Sequence, residues 1–337
     1  MIVRAFHAWE RRLAAAATDR VVRPFEWGLE WIGQTDGHGP ESACAQLEAW
    51  ADEMVGDSDR FFSVTPSSEY TLVGDRLTFP SGVTTPHERN NLVFARFFPE
   101  PSPQGRRRAV LVLPQWNADA EGHVGLCRLL NRFGISALRL TLPYHEDRMP
   151  LDLRRADYIV SANLGRTAQI CRQAVLDAKR AIAWLADRGY QSIGILGTSL
   201  GSCLSMLAAA HDPLVKAAAL NHISPYFADV VWSGLSTAHV RRGLDGCVPL
   251  DRLRRIWMPI SPYPYIARMR GKQVLLVYAR YDLTFPVDLS RSLVDEFKRQ
   301  EVTPQVAVLP CGHYSTGVTP FKWMDGLTLC RFLSRSL

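Results

Sequence analysis

The 337-residue sequence has no long hydrophobic run. Nothing in it approaches the roughly 20 consecutive apolar residues that a helix needs to cross a bilayer, so no transmembrane span is expected. The N-terminal stretch MIVRAFHAWERRLAAAATDR has charges on both sides of a short alanine run. It lacks the compact apolar region and cleavage signal of a secretory leader, and a cytoplasmic location is the expectation. Lysine is scarce: only five of the 39 basic residues are lysine and 34 are arginine, which reads as a compositional bias of the genome. The seven cysteines (44, 127, 171, 203, 247, 311 and 330) form no CxxC pair and no metal-ligand spacing. Reduced thiols are therefore expected, with neither a disulfide framework nor a metal site. The net charge is +6, yet the one tight basic run, Arg106-Arg107-Arg108, has no interleaved aromatics to stack on bases. A nucleic-acid partner is not expected.

What remains is an ordinary globular composition, 47% hydrophobic and 21% charged. It suits one large core with a small additional module. The first 68 residues read as a helical N-terminal extension, with apolar and aromatic positions at helical spacing in 25–31 and 45–50. Trp27 and Trp31 lie four apart, on one face. That face is expected to pack on the domain; contact with a membrane surface is the less favoured reading. From about residue 69 the period changes. Segments 69–79 and 92–98 read as strands, and short apolar runs follow at 109–113, 135–140, 192–196, 215–220, 273–279 and 305–309. Near-continuous apolar runs suit strands buried on both faces. Helical segments at about 122–133, 158–188, 200–211, 288–300 and 319–335 alternate with them, which predicts right-handed crossovers and a mainly parallel central sheet flanked by helices. The stretch 223–271, rich in Trp, Tyr, Pro and Arg, interrupts the alternation and is expected to form a cap over the sheet's functional edge. The α/β core then comprises 69–222 and 272–337.

Gly197-Thr198-Ser199-Leu200-Gly201 follows the run Ser192–Leu196 and precedes a helix-like LGSCLSMLAAAH. This is the strand–turn–helix setting in which G-x-S-x-G holds a serine in strained geometry, with small residues two before and two after it. The following helix directs its positive end at the serine. A serine hydroxyl is a weak nucleophile and needs a base oriented by a carboxylate. Asp282 lies just past the strand at 273–279, and His313, in Cys311-Gly312-His313-Tyr314, lies past the strand at 305–309. Both reach the edge where ligands gather in open α/β sheets.

On these motifs the chain resembles the α/β-hydrolase superfamily over roughly residues 69–337. The resemblance implies catalytic Ser199, Asp282 and His313, an acyl-enzyme intermediate and an oxyanion hole of two backbone N–H groups. Leu200 is the first donor it implies. The second falls in Pro114-Gln115-Trp116-Asn117, where Gln115 stands in place of the usual glycine; Trp116 is the expected donor and Gln115 the alternative. Tyr144 and His145 follow the strand at 135–140 and are expected to shape the substrate pocket, with Asp147 and Arg148 pairing beside them. His222, past the strand at 215–220, is either a third pocket residue or a structural histidine. No residues stand at zinc-like spacing from His145, and the chemistry implied calls for no cofactor. The expected partner is a small-molecule acyl substrate, cleaved at a carboxylic ester or related acyl bond, with thioesterase and lipase as alternatives within the class. The rival class is a non-catalytic scaffold of the same fold that binds a ligand or partner through the cap and N-terminal region.

Overall fold

The computed structural model describes residues 2–35, 39–101 and 105–337. Helix α1 (Ile2–Ala14) is followed by α2 (Pro40–Gly56) and a single turn, α3 (Ser58–Phe61). The sheet begins with a hairpin: β1 (Thr71–Val73) and β2 (Arg76–Pro80) turn at Gly74, whose φ of 61° suits a residue without a Cβ. Next come β3 (Leu92–Phe98), β4 (Arg108–Leu113), α4 (Val124–Arg132), β5 (Ser136–Leu140) and the long α5 (Leu164–Asp187). β6 (Ser192–Thr198), α6 (Leu200–Ala210) and β7 (Val215–Asn221) lead to three short helices, α7 (Phe227–Ser233), α8 (Ala238–Leu244) and α9 (Leu250–Ile256). The chain ends with β8 (Gln273–Ala279), α10 (Val287–Arg299), β9 (Gln305–Leu309) and α11 (Phe321–Ser336).

The nine strands join in the order β1-β2-β3-β5-β4-β6-β7-β8-β9. Pairing is antiparallel from β1 to β5 and parallel from β5 through β9. Alternation along β4 explains the layering. Leu111 and Leu113 face one apolar core together with Leu176 of α5 and Leu204 of α6. Val110 and Val112 face the other, with Leu130 of α4 and Leu333 of α11. A strand sandwiched this way has no polar face, and its sequence reads as a continuous apolar run for that reason.

Four expectations need correction. Segment 69–79 is not one strand: β1 and β2 fold back on each other within it. Residues 25–31 are not a helix: Gly28 takes a left-handed φ of 69° and only Leu29–Ile32 form a short 3-10 turn. Trp27 and Trp31 pack half-buried against the main core. Helix α5 begins at Leu164 and not at 158, because the Asn163 side chain caps it by accepting the Arg166 N–H at 2.9 Å. Finally, Asp147 and Arg148 do not pair with each other. Asp147 binds Arg76 at the surface, at 2.6 Å, whereas Arg148 is buried against Asp177 of α5 at 2.8 Å. The guanidinium also donates to the Asn90 and Thr141 carbonyls, so every charge in that buried network is matched.

Candidate active site

Ser199 sits between β6 and α6 at φ 57° and ψ −119°, a conformation costly for any residue with a Cβ. The neighbouring glycines make it possible. A Cβ on Gly197 would strike the Gly201 backbone, and one on Gly201 would strike the Leu113 and Pro114 carbonyls. This sharp turn, the elbow that carries Ser199, is thus pressed against the end of β4, which brings the 114–117 turn alongside it. The Ser199 N–H is anchored on the Asn221 carbonyl at 2.8 Å. Among the described residues the N–H groups of Leu200, Trp116 and Gln115 donate to no protein acceptor, leaving them available to a developing oxyanion.

Asp282 follows β8 and is buried with all its lone pairs engaged. Oδ1 accepts the N–H groups of Thr284 and Phe285, both at 2.7 Å. Oδ2 faces two imidazoles, His313 Nδ1 at 3.2 Å and His222 Nδ1 at 2.9 Å. Burial alone would raise this carboxyl, but the two histidines outweigh it and hold Asp282 well below the usual carboxylate range. A carboxylate cannot donate, so each Nδ1 carries its hydrogen toward Oδ2; in the neutral ring Nε2 is then the acceptor, and that of His222 lies 3.5 Å from Thr316 Oγ1. His222 is fully enclosed and burial lowers its pKa, so it remains neutral. These three side chains are the cluster whose composition could hold a metal ion; the two Nδ1–H groups aimed at Asp282 do not fit that use. No hydrogen bond joins Ser199 Oγ to His313 among the described residues, a contact of the kind that tightens when a reactant binds.

Ser199 opens onto a cavity of about 480 Å³, its mouth included. Trp116, Val160, Leu200, Phe227, Val231 and Phe285 supply most of its apolar wall, with Ser224, Ser236, Thr237 and Thr284 as small polar points. No charged side chain lines it among the described residues. Cys203 also reaches the wall, but burial pushes its thiol up to about 12, which keeps it a neutral donor to the Ile260 carbonyl and a poor nucleophile.

The structure separates the expected pocket residues. Tyr144 and His145 do not line this cavity. Tyr144 is fully enclosed, its N–H on Asn90 Oδ1 and its hydroxyl on His87 Nδ1. His145 is equally committed: Nδ1–H donates to the Pro143 carbonyl and Nε2 accepts the Asn117 N–H, each at 2.9 Å. Burial lowers its pKa to about 4, keeping the neutral tautomer this pairing requires. Its role is to hold the turn carrying Trp116. His222 touches the Asp282 carboxylate and is likewise absent from the cavity wall. Trp257 and Tyr265, in the 223–271 stretch, are buried in the main core, with Trp257 Nε1 on the Leu164 carbonyl and the Tyr265 ring against Phe62 and His211.

Behind the elbow, the Asn221 side chain donates to Asp325 Oδ2 on α11 at 2.9 Å. Burial raises Asp325 to about 7. The folded protein therefore retains a proton that the unfolded chain, with a carboxyl near 4, releases. The favourable contribution is complete below pH 4 and is lost as pH rises through 7. Asp325→Asn keeps an acceptor for Asn221 and cannot ionise. Urea unfolding should find this variant more stable than the parent by about 4 kcal/mol at pH 8 and by only about 1 kcal/mol at pH 4.5. An equal difference at both pH values would contradict the assignment.

No family model matches the sequence, and no curated protein matches it. Among solved structures, acetyl xylan esterase 1 from Thermoanaerobacterium sp. JW/SL YS485 is similar over 85% of this chain and 93% of its own, with a TM-score of 0.63 at 15% identity. The acetyl xylan esterase from Paenibacillus sp. R4 is similar over 87% and 99%, with a TM-score of 0.64 at 14% identity. The acylaminoacyl peptidase from Pyrococcus horikoshii matches 81% of this chain with a TM-score of 0.60 at 14% identity, and the chain spans only 42% of that protein's length. With the sheet order and crossovers above, these likenesses carry one conclusion: the chain has the α/β-hydrolase fold.

Proposed function

We propose that the protein is a serine hydrolase that cleaves a carboxylic ester through an acyl-enzyme. The observation that carries this reading is a strained serine on the wall of an uncharged cavity, in a fold whose neighbouring strand ends hold a carboxylate bound to a histidine. Ser199 Oγ attacks the substrate carbonyl while His313 Nε2 takes its proton. Asp282, bound to Nδ1–H, fixes the tautomer and stabilises the imidazolium that forms. The Leu200 N–H and the Trp116 N–H, with Gln115 as the alternative, receive the oxyanion, each worth about 3–4 kcal/mol. His313 then protonates the leaving alkoxide, and water resolves the acyl-enzyme with the same base.

The apolar, charge-free wall favours a neutral acyl group over a charged one. The acetyl xylan esterases among the structural relatives support ester cleavage as a class. Steady-state turnover of p-nitrophenyl esters from acetate to dodecanoate tests both points. We expect kcat/KM to peak at a short or medium chain and to fall for acyl chains that outgrow the cavity. Failure to turn over any member would overturn the esterase reading.

A further inference from the structure

We infer that the N-terminal helix α1 is a positioning element of the catalytic base loop, with Glu10 as its positioning residue; this rests on the hydrolase reading above. Glu10 is a carboxylate with no solvent exposure, on a helix outside the α/β core. Its two oxygens accept the N–H groups of Tyr314 at 2.8 Å and Ser315 at 2.9 Å, the two residues directly after His313. A buried ionisable side chain is retained only where such partners compensate its desolvation. The fit is also steric: a Cβ on Gly312 would run into the Glu10 carboxyl, so glycine before His313 is what lets the helix approach.

Two further contacts make α1 a strap across both the acid and the base loops. Phe6, one turn before Glu10, stacks on Tyr281 with ring centroids 4.3 Å apart, immediately before Asp282 in sequence. The Tyr281 N–H in turn donates to the Cys311 carbonyl at 2.9 Å. Past the helix, Arg20 donates to the Tyr314 hydroxyl at 2.8 Å. Within the base loop, the Gly312 N–H is already taken by Ser315 Oγ and the Gly312 carbonyl by Thr316. The Tyr314 and Ser315 amides find no acceptor within the loop, and among the described residues Glu10 is the one that meets both. Without it, both must find water, and the loop that fixes the His313 ring loses the two external bonds nearest to that residue. Displacement of a base by about 1 Å costs on the order of 100-fold in rate.

The test uses the full chain with Glu10→Ala and Glu10→Gln, read by kcat, KM, thermal midpoint and hydrogen exchange at the Tyr314 and Ser315 amides. Expected are a roughly 10- to 100-fold fall in kcat for the alanine variant with KM within about twofold, faster exchange at both amides, and an intermediate kcat for glutamine, which retains one acceptor. A lowered midpoint with unchanged kcat in both variants would overturn the inference, as would unchanged exchange. Should the alanine variant fail to fold, the glutamine variant decides: a threefold or larger fall in kcat supports positioning and an unchanged kcat refutes it. Exchange is measured without substrate. A wild type that hydrolyses nothing while its Glu10 variants expose the two amides therefore defeats the hydrolase reading and leaves the strap standing.

Discussion

Ser199→Ala should abolish labelling by a fluorophosphonate probe and lower ester turnover by roughly 10⁴-fold or more, with the fold intact. The expectation on activity follows from the lack of a substitute nucleophile among the described residues of the cavity wall: Cys203 is held as a neutral thiol, and the serine and threonine hydroxyls elsewhere on the wall lie outside the strained turn at Ser199. The expectation on stability follows from the geometry. Alanine keeps the Cβ, so the left-handed backbone is no worse accommodated than before, and Ser199 Oγ has no protein hydrogen bond to lose among the described residues. The unfolding midpoint should therefore match the parent's. Wild type and variant labelling to equal stoichiometry, or neither labelling, would remove Ser199 from the chemistry and leave the fold as a binding scaffold.

The elbow was legible in the sequence because its physics is local. Backbone strain at Ser199 demands small residues at fixed offsets, and Gly197 and Gly201 announce it without any knowledge of the rest of the chain. The strands were legible for a similar reason, since burial on both faces leaves a short apolar run bounded by turn residues. Asp282 and His313 could be placed at strand ends, but nothing local distinguished His222. It reads as one more residue past a strand, and only the parallel pairing of β7 with β8 brings it to the Asp282 carboxylate. Tyr144 and His145 failed as pocket residues because position past a strand sets where the backbone goes and not which way the ring turns. Their rings turn inward, toward His87 and Pro143. Glu10 lies some 300 residues from its partners, and its helix carries no motif that names them. Contacts of that separation leave no periodicity in one sequence.

The second large effect is expected at Asp282. Asp282→Asn should reduce kcat by about 10⁴-fold with a much smaller change in KM, measured on the best ester of the chain-length series. The cause is the tautomer. At present four donors converge on the carboxylate: two amides on Oδ1 and two imidazole Nδ1–H groups on Oδ2. Asparagine offers one oxygen and one NH₂ group. If its oxygen stays with Thr284 and Phe285, the NH₂ faces both rings, and each must move its proton to Nε2 to accept at Nδ1. His313 Nε2 then holds a hydrogen where it must receive one from Ser199. If the amide flips, the NH₂ opposes the Thr284 and Phe285 N–H groups, and the loop that carries residue 282 loses its internal bonds. The shared oxygen also distinguishes the two histidines. His222→Phe removes one donor from Oδ2 and leaves the His313 bond in place, so its loss in kcat should be far smaller than that of Asp282→Asn. Equal losses from both substitutions would mean that His222, and not His313 alone, depends on that carboxylate to act on Ser199.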